Sequence, residues 1–245
     1  MQLFRILQSQ GLGSRRDCRD LIRRQHVLCD GVLVTDPEQE FDCENLRFSV
    51  DGQAYRYRQY AYLVLHKPAG YECSRQPRDH LSVFSLLPET LLNRGVQCVG
   101  RLDQDTTGLL LFSDDGRFIH THTSPKKQIG KTYQVTCKHP ITPELVEQLL
   151  AGVQLHDEPA PLPARQCRAL TEYRLELVIN EGKYHQVKRM LAAAGNRVES
   201  LHRCGIGGYV LPVDLPVGAW KWLEPDELAA LKTGPENDPP PSPKS

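Results

Sequence analysis

Gly100-Arg101-Leu102-Asp103-Gln104-Asp105-Thr106-Thr107-Gly108 gathers carboxylates and hydroxyls into one short loop, and Leu109-Leu110-Leu111-Phe112 follows at once. A polar loop that feeds an apolar strand holds its carboxylates at a rigid strand end, where a catalytic acid, base or nucleophile keeps one geometry. Neither aspartate is core filling, because an ionised carboxylate is almost never buried without a partner. Asp103 and Asp105 are two apart, so on an extended segment both point to one side. Such a pair suits glycoside hydrolysis. Asp105-Thr106-Thr107-Gly108 also echoes an aspartic-protease loop, but that chemistry needs a second such loop, which the sequence lacks, or a homodimer. A structural reading has the Asp and Thr side chains bonding the backbone of a tight loop, and it fits Asp105 better than Asp103.

Three other segments bear on the choice. Lys67-Pro68-Ala69-Gly70-Tyr71 reads as a turn after the strand Tyr62-Leu63-Val64-Leu65-His66. Lys131-Thr132-Tyr133 opens a strand that runs to Cys137. Glu181-Gly182-Lys183-Tyr184-His185-Gln186-Val187-Lys188-Arg189-Met190 turns into a basic helix that runs from His185 to Ala194, with Gly195 closing it. Each alone has a plain reading as an ordinary turn, a polar edge strand or a solvated helix start.

The elements that must position these residues follow from periodicity. Leu3, Ile6 and Leu7 have helical spacing, and Gly11 and Gly13 end that helix. Ser14-Arg15-Arg16-Asp17 is a capping-box start for a second helix, with Cys18, Leu21 and Ile22 as its apolar face. Arg15, Arg19 and Arg23 form a basic stripe, with Arg16 and Arg24 beside it. Val27-Leu28-Cys29, Asp30-Gly31 and Val32-Leu33-Val34 read as a hairpin with a type I′ turn. Residues 51–60, polar and rich in tyrosine, read as a linker. Beyond it, Thr142 caps a helix from Pro143 to Leu150 that Gly152 closes, and strands recur at Tyr173 to Ile179, Glu199 to His202 and Trp220 to Leu223. Strands and helices mix without a regular βαβ rhythm, which favours an α+β fold. From Lys232 onward Gly, Pro, Ser and charge dominate, which predicts a disordered tail over 232–245.

Composition narrows the function classes. At 245 residues, 40% hydrophobic and 24% charged, the chain suits one or two globular domains. No apolar run approaches the roughly 20 residues that span a bilayer, and the N-terminus shows no signal-peptide pattern, so a cytoplasmic protein with no membrane partner is expected. The eight cysteines include no C-x-x-C, which points to reduced thiols and to no metal. The net charge is zero, so the chain is no polyelectrolyte binder as a whole. Its first 35 residues nonetheless concentrate arginine, and a local basic surface binds phosphate regardless of the total.

Two resemblances organise these observations. The helix–helix–hairpin start resembles the S-four-type RNA-binding domain over roughly residues 1–50, through Ser14-Arg15, Leu21-Ile22 and Val27 to Val32; Asp30 departs from the usual Asn. Lys67-Pro68-Ala69-Gly70, Gly-Arg-Leu-Asp-x-Asp-Thr-Thr-Gly-Leu, Lys-Thr-Tyr and His-Gln-Val-Lys-Arg-Met, in that order, resemble the pseudouridine synthases of the ribosomal small-subunit type over residues 61–229. The resemblance implies an RNA-binding domain and linker over 1–57 and a catalytic domain over 58–231 built on a mixed, mainly antiparallel sheet. It implies Asp103 as nucleophile, Tyr133 packed on the target base and assisting proton transfer, and Lys188 paired with the catalytic carboxylate. Arg101, Leu102, Thr106, Thr107, Gly108 and Lys131 would frame the site; Arg15, Arg16, Arg19, Arg23, Arg24, His185, Gln186 and Arg189 would bind RNA. His66 departs from the family's usual Asn before Lys-Pro. Thr107 stands where large-subunit relatives more often carry Cys, which favours a uridine of 16S rRNA, free or in an assembly intermediate, over 23S rRNA. A non-catalytic RNA-binding assembly protein is the competing class. Isomerising a uridine gains and loses no atoms, so no cofactor is expected, and the enzyme is expected to act as a monomer.

Overall fold

The computed structural model describes residues 1–234. Helices α1 (Leu3–Ser9) and α2 (Arg15–Arg23) pack on a small sheet of β1 (Val27–Cys29), β2 (Val32–Leu33), β3 (Arg47–Val50) and β4 (Gln53–Arg56), in the order β2-β1-β3-β4. Ser14 and Asp17 close the expected capping box at α2. Leu3, Phe4, Leu7, Cys18 and Ile22 bury against Val27, Cys29 and Phe48 to make a separate core.

Both turns of this sheet are Asp-Gly. Asp30 and Gly31 have φ of 46° and 82°, and Asp51 and Gly52 have 49° and 80°. Two consecutive positive φ values are the type I′ turn that matches strand twist. Residues 51–60 are therefore not all linker: 51–56 turn and return as β4, and Tyr55 stacks on Phe48 at 5.3 Å.

The chain continues through β5 (Tyr62–Lys67), β6 (Tyr71–Glu72), β7 (Leu81–Ser82), α3 (Glu89–Asn93), β8 (Gln97–Val99), β9 (Thr107–Ser113) and α4 (Gly116–Thr123). It goes on through β10 (Lys131–Cys137), α5 (Pro143–Ala151), β11 (Gln166–Ala169), β12 (Arg174–Ile179) and α6 (Gln186–Ala193). It closes with β13 (Val198–Ile206), β14 (Tyr209–Val210), β15 (Trp220–Trp222) and α7 (Pro225–Ala230). A nine-stranded sheet has the order β11-β12-β10-β13-β9-β5-β15, with β14 on β13 and β8 on β9. Its pairs are antiparallel except β13 with β9, so the mixed α+β architecture is the expected one.

Strand β9 is apolar on both sides because the sheet is covered on both sides. Leu110 and Phe112 enter one core and Leu109 and Leu111 the other, all fully buried. Each such side chain contributes on the order of 2 kcal/mol by leaving water. Among the described residues no helix is long and apolar enough to cross a membrane. Of the tail expected from Lys232, Thr233 still bonds back to α7 through Ala230 O, and 235–245 lie outside the described residues.

A polar latch joins the two sheets. The Arg94 side chain is 2% exposed and donates to Asp114 Oδ2 at 2.9 Å, Gln10 Oε1 at 2.9 Å and Arg58 O at 3.0 Å. Asp114 Oδ1 accepts from Ala61 N, and Gln10 Nε2 donates to Arg58 O. At Gly11 a Cβ would stand 1.9 Å from Thr90 O, so only glycine fits this contact. Arg94→Met should lower the unfolding free energy in urea by about 3 kcal/mol, because it strands a shielded carboxylate. Wild-type stability in that variant would remove the latch from the account.

Candidate active site

The carboxylate loop is fastened from below. Lys67, fully buried at the end of β5, donates through Nζ to Thr106 O at 2.8 Å, Pro68 O at 3.0 Å and Gln104 O at 3.2 Å. Burial pulls the Lys67 ammonium below its ordinary value. Gly70 N donates to Gln104 O, and Leu102 N to Cys73 Sγ at 3.4 Å. Cys98 hydrogen-bonds the Cys73 sulfur and holds that thiol below its usual value. The Lys-Pro-Ala-Gly turn thus cradles the loop, a role that its reading as an ordinary turn did not contain.

The loop is a turn and not an extended segment, since Thr106 N donates to Asp103 O at 3.1 Å. Thr107 starts β9, and its Oγ1 meets His202 Nδ1 at 2.9 Å. His66, the departure before Lys-Pro, bonds Leu215 O through Nδ1 and sits edge-on to His202. At Gly108, with φ of 104°, a Cβ would stand 2.2 Å from Arg203 O. The glycine lets β9 lie against β13.

Helix α6 brings the cation. Lys188 Nζ lies 2.7 and 2.9 Å from the Asp105 oxygens and 3.1 Å from Asp103 Oδ2. His185 Nε2 lies 3.3 Å from Asp103 Oδ1. His185 caps α6 with φ of 48°, a left-handed conformation that is sparsely populated and clusters at functional sites. Tyr184, 75% exposed, stacks on its ring at 3.8 Å. Partial burial pulls the Asp105 carboxyl up, but the Lys188 hydrogen bond and charge outweigh it, so the group lies below its ordinary value. Burial works against the Lys188 charge too, and the two aspartates overcome it and raise the ammonium.

These side chains open onto one pocket. Asp103, Tyr133, Lys131, His185 and Arg203 line it, with Leu102, Ile179, Val187 and Leu201 as apolar walls. Tyr133 is 6% exposed and pairs directly across the sheet with Arg203. Residues opposite one another on paired strands put their side chains on one face. Lys131 Nζ donates to Ile129 O and Asn180 O, and burial, with the charge of Arg203, lowers its ammonium to about 8. Thr106 is 1% exposed and also lines the pocket, while Arg101 is exposed at its rim.

The sequence-expected residues are therefore sorted by position. Asp103, Tyr133, Lys188 and the framework residues meet at the pocket and its loop. His185, expected to bind RNA, instead touches Asp103. Gln186 is 2% exposed; it accepts from Lys183 N and donates to Glu181, so it holds the turn into α6 and presents almost no surface of its own. Arg189 is tied to Asp157 and to Tyr184 O. Arg15, Arg16, Arg23 and Arg24 are exposed, whereas Arg19 is paired with Glu38 and packs over Phe4. Asp105 does more than bond its own loop, because it carries two of the short contacts to Lys188. Lys67 entered the sequence reading only within the Lys-Pro-Ala-Gly motif, with no role at the site, and Arg203 did not enter it; a Lys ending an apolar strand was the available signal for the first, and there was none for the second.

Residues 61–193 match the family described as RNA pseudouridylate synthase, and residues 1–42 match the S4 domain. The chain is 44% identical over 232 residues to ribosomal small subunit pseudouridine synthase A of Escherichia coli (strain K12), covering 94% of this chain and 100% of that one. It is 38% identical over 239 residues to the protein of the same name in Yersinia pestis, covering 94% and 98%. A crystal structure of a pseudouridylate synthase superposes with a TM-score of 0.67 at 32% identity, covering 94% of this chain and 99% of that chain.

Lys188→Met should raise the Asp105 carboxyl toward its ordinary value, since burial is then opposed only by a backbone hydrogen bond and the charge of His185. Carboxyl NMR titration of wild type and variant measures this. An Asp105 midpoint that does not move would show that Lys188 is not what holds it low.

Proposed function

The chain belongs to the RNA pseudouridylate synthase family and is an isomerase acting on rRNA, and we propose that it converts one uridine of 16S rRNA to pseudouridine with Asp103 as nucleophile. The observation that carries this reading is the meeting of Asp103 and Tyr133 at one pocket, with Lys188 ion-paired to Asp103 from a third element. The small-subunit assignment draws on the names of relatives at 38% and 44% identity and on Thr107 in the loop. An rRNA substrate puts the site of action in the cytoplasm.

The geometry suits the reaction. The reaction needs a carboxylate nucleophile, and Asp103 presents one beside the cation of Lys188. Lys188 and His185 fix the Asp103 oxygens at 3.1 and 3.3 Å, so one rotamer faces the pocket. The uridine has to leave its stack, at a cost of a few kcal/mol. Tyr133 and the apolar walls receive the base in exchange. Breaking the N-glycosidic bond, turning the uracil and rejoining it through C5 then all occur within that enclosure. The exposed Arg15, Arg16, Arg23 and Arg24 supply phosphate contacts that anchor the RNA through the first sheet's helices.

Asp103→Asn should abolish pseudouridine formation while RNA binding persists, as read by pseudouridine mapping and a separate binding assay. Continued product would sink the nucleophile assignment, and a wild-type enzyme that modifies only 23S rRNA would sink the 16S assignment. The triple variant Arg16→Gln, Arg23→Gln, Arg24→Gln should weaken RNA binding and reduce the slope of log affinity against log salt by about 2. An unchanged slope would mean that α2 is not the anchor.

A further inference from the structure

Among the described residues, buried side-chain N or O atoms without a partner are few, and three of them, Thr106 Oγ1, His122 Nε2 and Arg203 Nη2, belong to residues that line the pocket holding Asp103. Arg203 is the most costly of them. It is 2% exposed, its Nε donates to Leu109 O at 2.8 Å, and its Nη2 bonds to nothing. An unmade hydrogen bond on a buried charged group costs more than the 1–3 kcal/mol or so of a neutral one. Among the described residues no carboxylate is ion-paired with Arg203, nor with Lys131 on the same pocket wall. Directly across the sheet from Arg203 is Tyr133, the surface on which the base is placed. Two shielded cations without an ion-paired carboxylate thus line the space assigned to the base.

We propose that Arg203, supported by Lys131, binds the carbonyl oxygens of the flipped uracil and stabilises the negative charge that the base acquires during the reaction. The inference rests on the uridine-isomerising reading of this pocket. It does not depend on which atom Asp103 attacks. If Asp103 takes C1′, the C1′–N1 bond breaks and its electron pair stays on the base, spread over O2 and O4. If Asp103 adds to C6, the C5–C6 pair moves out to O4. If C2′ loses a proton first, the base again leaves with the N1 pair. In each case the C1′–N1 bond breaks and C5 bonds to C1′; Asp103 leaves C1′ or C6 where it had bonded there, a proton taken from C2′ is returned to it, C5 gives up its proton and N1 gains one, so nothing is taken from an outside reactant. A fixed donor aimed at the oxygen where charge develops is the usual source of such stabilisation, and the low-dielectric pocket strengthens it.

The test is single-turnover pseudouridine formation on unmodified 16S rRNA, free or partly assembled with small-subunit proteins, with the affinity measured separately. Arg203→Gln should lower the rate constant at saturating enzyme about 100-fold and leave Kd within about twofold and the salt slope unchanged. Arg203→Lys should recover part of that loss. A wild-type rate in Arg203→Gln overturns the proposal, and so does weaker affinity with a reduced salt slope, which marks a phosphate contact instead. Should the glutamine variant not fold, Arg203→Lys decides alone. Its lone nitrogen lacks the spread of the guanidinium, whose Nε holds Leu109 O while Nη2 stays free for the base, so a rate about tenfold down at unchanged Kd is expected, and a wild-type rate overturns the idea. Wild-type enzyme run alongside keeps the two readings apart, because failure to modify uridine there refutes the proposed function and not the role of Arg203.

Discussion

Strands β9 and β13 run side by side because position 108 has no Cβ. A methyl group there would meet the Arg203 carbonyl carbon and oxygen at 2.9 and 2.2 Å, neither of which can yield without parting the strands. The site depends on this contact. It sets Thr107 against His202, brings the Arg203 guanidinium to Leu109 O, and so fixes the carboxylate loop relative to the strand that faces Tyr133. Parallel pairing here, in a sheet otherwise antiparallel, is the geometric cost of bringing the two motifs together.

Charge then completes what sterics begin. Lys67 gathers three loop carbonyls from beneath, and Lys188 gathers two carboxylates from above. The two lysines differ in kind. Lys67 is sealed from water and, among the described residues, makes no ion pair, so it acts chiefly through directed hydrogen bonds. Lys188 is partly open, and its ion pairs are screened in proportion. Asp103 is therefore restrained without being buried, and its carboxylate stays available to a substrate entering the pocket.

Much of this was legible in the chain. Motif order led to Asp103, Tyr133 and Lys188, and local turn chemistry led to the Asp30-Gly31 hairpin and the α2 capping box. The misreadings have physical causes. Asp51-Gly52 carries the same turn signal as Asp30-Gly31, but its flanking strands are half polar because one side of that small sheet faces solvent. Asp103 and Asp105 were aligned by assuming an extended backbone, whereas they reach the same lysine from a turn. Gln186 reads as a polar helix start in one dimension and is buried in three, because it caps its own approach loop. Arg203 lies in a strand whose pairing partners are about 70 and 95 residues distant, and no local pattern announces a contact of that span.

The Arg94 latch has one more consequence. Because Gln10, Arg58, Asp114 and Ala61 all close on it, the small sheet with its arginines is tied to the large sheet with its pocket. If those arginines anchor the RNA as proposed, the gap between anchor and pocket is a built-in length, and the enzyme would read the spacing of its RNA as much as its letters.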